Sequence, residues 1–88
     1  IVVTGRAGGG AAVARVSGQL KVMSVELSPA LVGGMAADDR TRELAASLIA
    51  EAVNDGLKQA QERLKELLDA EAKELGLPEL PGLAGLLS

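Results

Sequence analysis

Residues 17–29, SGQLKVMSVELSP, say more about the architecture than any other part of the chain. Met23, Val25 and Leu27 alternate with small or polar residues, so they share one face while Glu26 lies on the other. A period of two marks a half-buried antiparallel strand. Before it, Ala12–Ser17 forms a second alternating arm, and the two arms predict a β-hairpin turning at Gly18-Gln19. Pro29 cannot donate to a ladder and ends the sheet. With Ile1–Gly5 as a first strand, the N-terminal part becomes a three-stranded antiparallel meander.

The glycine run TGRAGGG (4–10) links the first two strands and raises the question of a phosphate loop. A P-loop requires G-x-x-x-x-G-K-[ST], with a lysine for the phosphates and a hydroxyl for the metal, and neither is in place. Gly5, Gly8 and Gly10 also miss the G-x-G-x-x-G spacing. A strand pattern follows them, not a helix whose N-terminus could hold an anion. The run therefore predicts a bulged or close-packed crossing between strands.

Beyond Pro29, the stretch ALVGGMAA (30–37) reads as a small-residue connector. Asp38 and Asp39 suit a helix start, because a carboxylate there accepts from free amides and opposes the macrodipole. From Asp39 to Leu75 nearly every residue is a helix former. Leu44, Leu48, Val53, Leu57, Ala60, Leu64, Leu67 and Leu68 recur at spacings of three and four. Such a helix extends about 55 Å at 1.5 Å per residue. A domain this small cannot cover it, so a second copy or an upstream helix is expected against it. Gly56 interrupts the helix and reads either as a close-approach or bend position or as a tolerated exposed glycine. The tail GLPELPGLAGLLS (76–88) has turn chemistry and no period, and is expected to be flexible.

Composition narrows the function. The 88 residues are 48% apolar yet contain no Phe, Tyr or Trp, so the core must be aliphatic and thin, which favours homo-oligomerisation. Without aromatic residues there is no stacking platform for single-stranded nucleic acid. Without His or Cys the usual zinc, haem and iron–sulfur ligands, the Ser-His and Cys-His pairs and all disulfides are missing. Along the long helix, Glu62–Lys65 and Asp69–Lys73 are spaced as solvated ion pairs, not as a carboxylate couple for catalysis. An enzyme, a cofactor, a metal site and a small-molecule substrate are therefore not expected. No apolar stretch approaches the length of a membrane span.

Charge is divided along the chain. The first 42 residues hold five cations (Arg6, Arg15, Lys21, Arg40, Arg42) against three anions (Glu26, Asp38, Asp39), whereas the helical end is acidic. A few Arg and Lys contacts to phosphate give salt-sensitive, largely sequence-independent DNA binding. Arg6, Lys21, Arg40, Arg42 and Lys58 are the candidate phosphate contacts. Met23, Val25, Leu27, Leu48, Val53, Leu57 and Leu64 are the candidate core or dimer-packing positions.

Taken in order, several segments resemble the YbaB/EbfC family of bacterial nucleoid-associated proteins. They are VTGRAGGG (3–10), SGQLKVMSVELSPALV (17–32), AVNDG (52–56), similar to a family stretch reading A-V-N-D-A, and GLPELPGL (76–83). The resemblance covers essentially the whole chain. It implies an α-β-β-β-α protomer, hence an α+β class, and an intertwined homodimer with projecting helices. It also implies double-stranded DNA binding in the cytoplasmic nucleoid, with little sequence preference, in nucleoid organisation or gene regulation. On this likeness residues 1–75 form one YbaB-like domain. The family's N-terminal helix is absent from these 88 residues, which begin at Ile1, and is expected upstream. The other function considered is a protein-interaction scaffold using the acidic, leucine-striped helix and the tail.

Overall fold

The computed structural model describes residues 1–76. The tail read from the sequence lies, beyond Gly76, outside the described residues. Three strands, β1 (Val2–Ala7), β2 (Ala12–Ser17) and β3 (Val22–Leu27), precede two helices, α1 (Pro29–Ala37) and α2 (Asp39–Glu74). The strands form one antiparallel sheet in the order β1-β2-β3, so the chain is α+β, as the alternation implies. Val3 pairs with Val16 and Gly5 with Ala14 across β1 and β2, and Ala12 with Leu27 across β2 and β3. A register shift at Arg15/Val16 places Val16 opposite Val22.

β1 and β2 are joined by a tight turn, Gly8–Gly10, in which all three residues have positive φ, at 62°, 66° and 96°. Side chains with a Cβ rarely adopt that region, so the glycines let the chain reverse within three residues. The β2–β3 connection is longer than the expected Gly18-Gln19 turn. It closes with Leu20 N–H donating to Ser17 C=O and Ser17 N–H to Lys21 C=O.

The small-residue stretch after the sheet is not a connector but helix α1. Ser28 caps it, its hydroxyl accepting from Leu31 N–H, and Pro29 occupies the first turn, where a missing N–H costs nothing. Leu31 is buried and anchors the helix despite Gly33 and Gly34.

Asp38 caps α2 by accepting from Thr41 N–H at 2.7 Å. The bond from the Thr41 backbone, then one from its side chain, holds the Asp38 carboxyl below the ordinary aspartate range. Because the folded pKa is lowered, the cap stabilises the fold above the unfolded value and is lost as pH falls through the folded one. Urea midpoints measured from about pH 5 to about pH 2 should therefore fall less in Asp38→Asn, which keeps a neutral acceptor, than in the wild type. α2 ends where Leu75 N–H returns to Glu71 C=O and Gly76 N–H to Lys73 C=O.

α2 lies over β1 and β2, runs antiparallel to β1 and barely reaches β3. The molecule measures 58 × 19 × 19 Å, its long dimension set by this one helix. The core beneath it is made of small side chains: Ala7, Ala12, Ala14, Val16, Ala45, Ala52 and Ala60 are at most 9% exposed. Leu27, Leu48, Ile49 and Val53 pack around that centre, partly buried. Leu57 and Leu64 are half-buried, whereas Met23 is 60% and Val25 39% exposed. None of the seven expected packing positions is therefore fully buried in a single chain; the buried face belongs to alanines.

Gly56 is buried and does not sit on the exposed face. A Cβ there would stand 2.6 Å from Val16 Cγ2. Gly56→Ala gains about 1 kcal/mol of helix propensity but forces Val16 aside, at a typical overpacking cost of about 1–3 kcal/mol. The expected result is modest destabilisation, turning to stabilisation relative to the single variant when Val16→Ala is added. Chemical denaturation of the four-member cycle reads this coupling.

Candidate nucleic-acid interface

The burial alternation of β1 and β2 separates two faces. Gly5, Ala7, Ala12, Ala14 and Val16 turn toward α2, whereas Thr4, Arg6, Val13 and Arg15 belong to the opposite, open face. Register then fixes neighbours on that face. Arg6 pairs with Val13 and Thr4 with Arg15, which makes Arg6 and Arg15 diagonal neighbours, about 7–8 Å apart between backbones. Both are exposed, and among the described residues neither forms an ion pair. Glu26, opposite Val13 on β3, is the carboxylate in the same row.

The remaining candidates stand apart. Lys21 lies in the β2–β3 connection, at the end of the sheet where Gly18 N–H bonds Ile1 C=O. Arg40 and Arg42 occupy the first turn of α2, at the opposite end beside α1. Arg40 is exposed. Arg42 is held by the helix corner: one guanidinium nitrogen donates to Met35 C=O at 2.9 Å and another pairs with Asp39. It neutralises the C-terminal carbonyls of α1 and is only half available to a ligand. Lys58 is exposed on α2, two residues from buried Gly56 and so on the side of the helix away from the sheet. The fold does not gather these five cations into one patch.

Arg15, counted among the N-terminal cations but not among the candidate contacts, is the one the fold adds. Its odd position among Ala12, Ala14 and Val16 was a usable signal of outward orientation, but its adjacency to Arg6 depends on the β1–β2 register. Among the described residues no cluster of carboxylates could hold a metal ion, and no helix is long and apolar enough to cross a membrane.

Comparison with known proteins gives the arrangement its context. The chain is 39% identical over 82 residues to a nucleoid-associated protein of Rhodococcus erythropolis, covering 91% of this chain and 69% of that protein. It is 30% identical over 79 residues to a nucleoid-associated protein of Desulfotalea psychrophila, covering 90% and 70% respectively. The family model of the YbaB/EbfC DNA-binding proteins matches residues 1–75, from the first strand to the end of the long helix. An antiparallel meander under one long helix, with the family pattern running its whole length, places the chain in the YbaB/EbfC DNA-binding family.

Proposed function

We propose that this chain is a non-enzymatic double-stranded DNA-binding protein of the nucleoid, working as a homodimer with little sequence preference in nucleoid organisation or gene regulation. The family match over residues 1–75 carries this reading. Arg6 and Arg15, adjacent on an open sheet face and without an ion pair among the described residues, support it physically, since backbone phosphates need cations and no base-reading element. Lys21, Arg40 and the free side of Arg42 are further contacts at the two ends of the sheet, whereas Lys58, midway along α2 and on its far side, lies off this face and would meet a separate stretch of DNA. The homodimer is supported by uncovered apolar surface: Val22 is 44%, Met23 60% and Val25 39% exposed along β3. Twofold symmetry would present every cation twice.

Gel retardation with two unrelated duplexes of equal length tests the assignment. Comparable retardation of both is expected, and strong binding to only one contradicts the lack of preference. Light scattering tests the dimer, and a folded monomer at micromolar concentration contradicts it.

The scaffold reading keeps one supporting observation, the leucines of the projecting end of α2. Leu67 is 46%, Leu68 38% and Leu75 73% exposed. Capture of one stoichiometric protein partner, with no retardation of DNA at low salt, would favour it.

A further inference from the structure

The two outer edges of the sheet are treated differently. On β1, Thr4 and Arg6 direct their backbone groups away from β2, because alternate residues of a strand bond to the same side. At both positions α2 bonds one of the two outward groups. Arg6 N–H donates to Asp55 Oδ2 at 3.0 Å, and Gln59 Nε2 donates to Thr4 C=O at 2.8 Å. Gln59 Nε2 also donates to Asp55 Oδ2 at 3.0 Å, tying the two side chains together.

The spacing explains why a helix can do this. Residues i and i+4 of a helix are about 6 Å apart along its axis, and residues i and i+2 of a strand about 6.8 Å. Asp55 and Gln59 therefore meet Arg6 and Thr4 in antiparallel order with little adjustment. The only outward-facing β1 residue left is Val2, in a groove flanked by Gln59, Glu62, Arg63 and Glu66. One residue is too short for a ladder. On β3, by contrast, no group among the described residues bonds to the outer edge, and Val22, Met23 and Val25 stand exposed there.

We infer that Asp55 and Gln59 are an edge guard: they occupy the outer hydrogen-bonding positions of β1 and prevent a strand of a second copy from adding there. A sheet with two open edges can be extended from both sides and grow without closing. With β1 closed, association through the sheet stops at a finite assembly. This role concerns self-assembly and is independent of DNA binding.

Amide exchange in the full chain is the first test and needs no variant. The Arg6 amide should exchange as slowly as the amides that β1 and β2 share, and Asp55→Ala should accelerate it about ten-fold. Fast exchange of Arg6 in the wild type would overturn the inference. The second test is sedimentation across a concentration series. Asp55→Ala plus Gln59→Ala should give species larger than the wild-type assembly that grow with concentration, whereas Asp55→Asn, which keeps an acceptor, should not. Adding Arg6→Pro to the double variant should restore the wild-type size, because proline removes the exposed donor from an edge strand that tolerates it. A folded double variant of unchanged size at every concentration also overturns the inference.

Discussion

Gly5→Ala is expected to destabilise the fold by about 3 kcal/mol or more, the largest effect of any single methyl group added to this protein. Gly5 sits in β1 directly beneath α2. A Cβ built on it would lie 2.1 Å from Ala52 C=O and 2.3 Å from Gly56 N. These are backbone atoms of a hydrogen-bonded helix, so no side-chain rotation can make room. Strand and helix would have to separate, opening the contacts among Ala7, Ala12, Ala14 and Ala52 on both sides. Such a core is thin already, and loosening it forfeits dispersion contacts that larger side chains elsewhere cannot replace. Val16→Ala should not rescue this variant, in contrast to Gly56→Ala. Denaturation by urea checks it, and a Gly5→Ala midpoint within error of wild type would show that strand and helix are not in contact.

Arg6→Ala plus Arg15→Ala should weaken duplex DNA binding by at least about ten-fold near physiological salt while leaving stability within about 0.5 kcal/mol. Both side chains are exposed and free of ion pairs among the described residues, so their removal leaves no buried group unpaired. In a homodimer the change removes four cations. If each neutralises a phosphate, the slope of log affinity against log salt falls by up to about 3.6. Arg42→Ala is a poorer probe, because it also releases Met35 C=O and Asp39 and loosens the α1–α2 corner. Arg40→Ala, whose side chain has no such role, should weaken binding with no loss of stability. Fluorescence anisotropy on a labelled duplex, with a melting curve for each variant, separates the two outcomes.

The parts legible in the sequence were those with a strong period. Met23, Val25 and Leu27 announced a strand, and the leucine spacing from Leu44 to Leu68 announced a helix. Burial was less legible, because large apolar residues dominate any hydropathy pattern while this interface selects small ones. Ala45, Ala52, Gly56 and Ala60 form the face that touches the sheet, and the leucines flank it or project beyond. α1 was hidden by Gly33-Gly34, which resemble a linker until Ser28 and Pro29 are seen together as cap and first turn. The Arg6–Arg15 neighbourhood and the Asp55–Gln59 clamp were invisible for another reason. Both depend on pairings between residues 7 to 55 positions apart, which no local pattern encodes.

In the proposed function the protein holds DNA through phosphate neutralisation. Titration of one duplex with the full-length protein at several salt concentrations, repeated with a duplex of unrelated sequence, tests that claim most directly. The prediction is a linear fall of log affinity with log salt, with the same slope and nearly the same affinity for both duplexes. Binding that ignores salt, or no binding at low salt by a folded protein, would contradict it.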